Sequence, residues 1–194
     1  MVKGIVGMSE FIMWFDVETT GLDSHSDALL EVAAIITDMQ GHIVSTPFSV
    51  VLYHRDVSRV VALCDPVVVG LHEKSGLFAE MWNAPQDNSV SGVNTMLAQW
   101  LDRYIDDDDV VYMGGNSLGL DREFAKMYLP DVCSRLSHRN VDMTSVSLFL
   151  TRNGHAPFFV KKRCHRALFD IMDSLDEFVF FHHTIDDDKG QLRQ

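Results

Sequence analysis

The stretch Phe11-Ile12-Met13-Trp14-Phe15-Asp16-Val17-Glu18-Thr19-Thr20-Gly21-Leu22 decides the reading of this chain. Large apolar and aromatic residues run without helical period into an acidic pair and a Thr-Thr-Gly turn. That is the pattern of a strand buried on both faces. Residues two apart on a strand share a side, so Asp16 and Glu18 project together from its end. Neighbouring carboxylates repel and resist burial. A hard divalent cation held by oxygen ligands is the usual resolution, and a solvated strand end is the plainer alternative.

Outward from this stretch, 194 residues suit one well-cored domain rather than two. It is expected to span residues 8–185, with flexible termini at 1–7 and 186–194. No apolar run has the length of a membrane span, and the first ten residues lack a signal peptide's apolar centre. Cys64, Cys133 and Cys164 show no C-x-x-C spacing. They read as the reduced thiols of a cytoplasmic protein, not as a disulfide framework or zinc site. The 28 acidic residues outnumber the 16 basic ones, for a net charge of −12. A broad groove gripping a long polyanion needs the opposite balance. A small anionic substrate, met by bound metal and one or two local cations, remains compatible.

Along the chain, Leu29 to Asp38 (LLEVAAIITD) predicts a second buried strand, with Glu31 inside the apolar run in a buried hydrogen-bonding role. His42 to Tyr53 predicts a third strand interrupted at Pro47. Residues 54–88 read as irregular, punctuated by Pro66, Gly70, Gly76 and Pro85. From Val90 to Ile105 apolar residues recur at three and four, an amphipathic helix capped by Ser89 or Ser91. The acidic run Asp106–Asp109 reads as a solvated turn. A short strand follows at Val110–Met113, then a turn at Gly114–Ser117 and a helix from about Leu118, stopped by Pro130. An edge strand at Asn140–Met143, a helix over Thr144–Asn153 and a loop carrying Lys161-Lys162-Arg163 lead to a final apolar-striped helix. This order predicts an α/β domain with a mixed sheet and helices on both faces.

Active residues in such folds gather at strand ends and the adjoining helices. Four acids stand there: Asp16, Glu18, Asp121 and Asp170. His165 precedes Asp170 by five residues, about 140° of rotation on a helix, so it is placed in the loop or first turn. Cys164 beside it lacks the oriented base that a thiol nucleophile requires.

The segments WFDVETTGLD, LLEVAAIITD, HEKSGL, GGNSLGLDREFAKMYLP, RNVDMTSV and KKRCHRALFDI together resemble the oligoribonuclease family of DEDDh 3′→5′ exonucleases. The likeness runs from about Phe11 to His183. It implies a ribonuclease H-like fold with a mixed five-stranded sheet. It also implies that Asp16, Glu18, Asp121 and Asp170 hold two divalent ions, Mg²⁺ or Mn²⁺, with His165 as general base. Further implications are a substrate 5′-phosphate cap from Ser117, Arg139, Thr144 and Ser145, a base wedge at Leu22, and a homodimer that degrades short single-stranded RNA to nucleoside 5′-monophosphates. The chain also departs from the family. Thr19 gives the opening motif a likeness to proofreading exonucleases. A family tryptophan is missing near Val67, and His138 replaces a tyrosine. Phe169 stands where a second aspartate is usual. Each lost aromatic removes stacking worth roughly 1–3 kcal/mol per base, leaving strict dinucleotide preference open. Two alternatives stand beside the main reading: an exonuclease acting on DNA or longer strands, and a binding protein built on an inactive nuclease fold.

Overall fold

The computed structural model describes residues 9–162 and 164–191, with side chains described through residue 185. The expected flexible leader, the last residues of the tail (192–194) and Arg163 lie outside them.

Five strands form one mixed sheet in the order β3-β2-β1-β4-β5. They are β1 (Glu10–Thr19), β2 (Leu29–Asp38), β3 (Phe48–Val51), β4 (Val110–Gly115) and β5 (Asn140–Asp142). The first three are antiparallel to one another, and β4 and β5 run parallel to β1. The opening stretch is thus the central strand, buried on both sides as its composition demands. Its alternation divides the core. Met13, Phe15 and Val17 join one apolar cluster, and Ile12 and Trp14 join the other. Asp16 and Glu18 continue the parity of Ile12 and Trp14, which aims them at the second face. There Trp14 is fully buried, and its indole N–H donates to the Thr37 hydroxyl at 2.9 Å.

Helices cover both faces. On the first lie α4 (Val90–Leu101), α5 (Gly119–Tyr128) and α6 (Pro130–Arg135), packed through Leu97, Trp100, Phe124 and Val132. The second carries α7 (Met143–Arg152) and α8 (Ala167–Gln191), packed through Met143, Ala167, Ile171 and Leu175. The last helix therefore runs past the expected domain boundary at residue 185.

The region expected to be irregular holds three short α-helices, α1 (Val57–Leu63), α2 (Pro66–Ser75) and α3 (Leu77–Met81), and a 3-10 turn at Gln86–Asn88. The Asp56 and Asp65 carboxylates cap the first two, and Pro66 sits in the first turn of α2. Asp-Pro here is a helix start, where composition alone reads punctuation. Pro130 likewise stops α5 and opens α6. Ser89 is the cap of α4, its hydroxyl accepting from Gly92 N–H. That helix ends at Leu101, short of Ile105. The third strand contracts to four residues after Pro47, with a single bridge at Ile43 before it.

Candidate active site

The end of β1, the β4–α5 turn and the start of α8 meet around an open cavity of about 570 Å³. Asp16, His165 and Asp170 line it together with Asn116, Ser117, Thr144 and Lys161. Asp16, Glu18 and Asp170 each offer a carboxylate oxygen, and these atoms lie within 4.8 Å of one another. Asp121, in the first turn of α5, approaches from beside β1, where its Oδ1 accepts from Val17 N–H at 3.2 Å. All four acids and the histidine expected from the sequence are thus gathered at one place.

Electrostatics give this cluster its chemical meaning. Burial, and then the charges of Asp121, Glu18 and Asp170, hold Asp16 well above the ordinary carboxylate range. Glu18 is pushed up to about 8 by burial and by Asp170, Glu31 and Asp121, with Arg166 opposing. Asp121 is raised to about 7, mainly by burial, against the Val17 hydrogen bond. Asp170 is raised by burial, with His165 pulling the other way. Burial and mutual repulsion thus disfavour ionisation throughout the group. Hard oxygen donors packed this closely fit a divalent ion, which lowers their pKa values together.

The turn after β1 is fixed by Asp27, whose Oδ1 accepts from the Thr20 hydroxyl and Oδ2 from Asp23 N–H. A Cβ on Gly21 would meet the Asp27 carboxylate at 2.5 Å, which is why glycine stands there. Leu22 is left 79% exposed at the tip.

On the far wall, the Ser117 and Thr144 hydroxyls lie 3.0 Å apart. Asp142 holds this wall in place by accepting from the backbone N–H groups of Ser117, Leu118 and Thr144. Ser117 (φ 53°) and His165 (φ 52°) both occupy the left-handed region, which is uncommon for residues other than glycine and concentrates at functional sites. Among the described residues lining the cavity, Arg139 and Ser145 do not appear. Arg139 immediately precedes β5, while Ser145 is exposed in the first turn of α7 with its N–H on Asp142.

Three features went unread in the sequence. His72 is buried; its Nε2 lies 3.1 Å from the Thr19 carbonyl and its Nδ1 3.8 Å from Glu18 Oε2. Asn116 is a hub. Its amide nitrogen donates to Glu177 at 3.1 Å and to Thr144, and its oxygen accepts from Ser174 at 2.6 Å and from Lys161. Lys161 in turn pairs with buried Glu177 at 2.9 Å. Asn116 and His72 fall inside the quoted motifs, so only the motifs pointed to them. Glu31, suspected of a buried hydrogen-bonding role, is 1% exposed and receives Arg166.

A mixed sheet with this strand order, carrying half-buried, clustered acids at the end of its central strand, defines a ribonuclease H-like exonuclease. The family model for exonucleases matches residues 13–178. Solved structures of exonuclease I share the fold. The Methylocaldum szegediense enzyme superposes with a TM-score of 0.61 at 15% identity, over 87% of this chain and 40% of that one. The zinc-bound E. coli ExoI–ssDNA complex superposes at 0.61 with 11% identity, over 89% and 40%. Among curated sequences, the oligoribonuclease of Mycobacterium bovis is 31% identical over 91% of this chain and 82% of its own length. That of Nocardia farcinica is 29% identical over 90% and 81%. The chain belongs to the oligoribonuclease family. Among the described residues, no helix is long and apolar enough to cross a membrane.

Proposed function

We propose that this hydrolase removes nucleoside 5′-monophosphates from the 3′ end of short oligoribonucleotides, with Asp16, Glu18, Asp121 and Asp170 holding two divalent ions, Mg²⁺ or Mn²⁺. The observation that carries the reading is the cluster of the Asp16, Glu18 and Asp170 carboxylates, with oxygens within 4.8 Å of one another and ionisation disfavoured by burial, at the edge of an open cavity that Asp16 and Asp170 line. When bound, the ions activate water and stabilise charge on the leaving 3′ oxygen. His165, in the same cavity as Asp16 and Asp170, takes the proton from the attacking water, its imidazole nitrogen acting as general base. Asp121 keeps the end of β1 in register through Val17 N–H, so that the ligands on β1 face α8.

The cavity volume falls in the range of small-ligand sites, which favours a substrate of very few nucleotides over a long strand. The Ser117 and Thr144 hydroxyls offer donors for a 5′ phosphate, joined by Arg139 and Ser145 from the β5–α7 side, and exposed Leu22 offers the wedge against a base. Leu148, Phe149, Phe158 and Val160 leave apolar surface exposed beside the cavity. This is surface that a second copy of the chain would cover in a homodimer. Three free cysteines fit a reducing, cytoplasmic location. The test is cleavage of 5′-phosphorylated RNA and DNA ladders from the dinucleotide upward, with Mg²⁺ or Mn²⁺ and with chelator. A rate highest on the shortest RNAs and abolished by chelator is expected. Length-independent cleavage, or a preference for DNA, would replace this reading with that of a trimming or proofreading exonuclease.

A further inference from the structure

His165 is followed at once by a side chain tethered to three other elements. The Arg166 guanidinium donates from Nε and Nη2 to Glu31 at 3.0 Å each, and from Nη1 and Nη2 to Glu80 at 2.8 Å each. Nε also reaches Glu31 Oε1 at 3.3 Å, and Nη1 the Ser75 carbonyl at 3.5 Å. The next residue is fixed too, because Ala167 N–H donates to Glu31 Oε2 at 3.1 Å. Glu31 on β2 therefore does the work of an N-cap for α8, and it does so from a different element. It also stands directly across from Glu18 in the β1–β2 register. Unpaired, it would add a second buried negative charge beside the candidate metal ligands. The Arg166 fork satisfies both of its oxygens and cancels that charge.

We propose that Arg166, gripped between Glu31 and Glu80, is the positioning device for His165. It locks the residues after the imidazole to β2 and α3, so that His165 keeps its left-handed backbone and its place in the cavity. This rests on the reading of His165 as general base. A left-handed backbone at a non-glycine residue persists only where its surroundings over-determine it, and three elements (β2, α3 and the end of α2) converge on the following side chain. Glu80 makes the device testable. It is 54% exposed and, with Arg166, lines a separate outward groove of about 450 Å³ beside Ser49, Asn83 and Asn88. It can be removed without touching the cavity.

Steady-state kinetics on a 5′-phosphorylated dinucleotide, Mn²⁺ titration calorimetry and the imidazole NMR signals of His165 test this in the wild type, E80A, E80Q, R166K, H165A and the double variant H165A/E80A. E80A should lower kcat about tenfold and R166K further, since sub-ångström misplacement is costly. KM and Mn²⁺ affinity should hold, and E80Q should recover part of the loss. In the H165A background, E80A should cost nothing more. Wild-type kcat in E80A, or the same loss with and without His165, overturns the proposal. If the wild type cleaves no oligonucleotide, or H165A is as fast as the wild type, the functional reading fails instead. The clamp is then judged on the His165 resonances alone: broadened or shifted in E80A if it positions the ring, unchanged if it does not.

Discussion

Replacing Glu18 with Gln should make the metal-free protein more stable at neutral pH and abolish most of its stabilisation by metal. The Glu18 carboxyl is raised from its ordinary value of 4.5 to about 8, chiefly by burial and then by Asp170. The folded state therefore holds this proton more tightly than the unfolded chain does. Its contribution to stability is complete below pH 4.5 and is lost as pH rises through 8. At 1.36 kcal/mol per unit, keeping this proton at pH 7, where the unfolded chain has already lost it, costs about 3 kcal/mol, trimmed to about 2 by the solvent that reaches the carboxylate. For a chain of this size that is about 5 °C or somewhat more in Tm. Differential scanning fluorimetry in EDTA should show wild type and E18Q melting together near pH 5 and separating toward pH 7.5, with the variant higher. Asp23, Asp38 and Glu80, whose carboxyls are lowered, tilt both curves alike and cancel in the difference. Adding Mg²⁺ or Mn²⁺ at pH 7.5 should raise the wild type and leave E18Q nearly where it was. Parallel melting curves at every pH, or an equal response to metal, would refute the argument that these acids wait for a cation.

D16A should lose activity by at least about a thousandfold while its far-UV spectrum stays native, because it removes a candidate metal ligand from the end of a strand whose packing lies elsewhere; substantial turnover would exclude a metal role for Asp16. Removing both hydroxyls in S117A/T144A should raise KM about tenfold for 5′-phosphorylated dinucleotides and leave 5′-hydroxyl ones unchanged, as expected for lost hydrogen bonds to a charged group. E31Q should destabilise the fold by about 3 kcal/mol in urea titration, since it takes the charge from the buried end of the pair and leaves half-buried Arg166 to Glu80 alone; a change under about 1 kcal/mol would show the pair to be dispensable to stability.

Much of this was legible in the sequence because its signals are local. The aromatic run before Asp16 fixed the central strand, and period-two spacing put Asp16 and Glu18 on one side. The gathering of Asp121, His165 and Asp170 came from motif resemblance, since no local rule brings α5 and α8 to the end of β1. The partners of Glu31 were invisible for a related reason. Arg166 lies 135 residues away, and a buried carboxylate announces that it needs a partner without naming one. The short helices between residues 57 and 81 were obscured because the same Asp and Pro residues that cap helices also make turns. Arg139 came from motif resemblance alone: no local rule relates it to Ser117 and Thr144, and it does not line the cavity of the single chain.

α8 carries Asp170 at one end of the cavity and Glu177, anchor of the Asn116 hub, farther along. At 1.5 Å per residue these stand about 10 Å apart on a single rod. On the proposed reading, one helix then sets the span between the cleavage end and the anchor of the hydroxyl wall, a calliper built into the fold. Lengthening or shortening that rod by a turn would be the direct way to retune which oligomers fit.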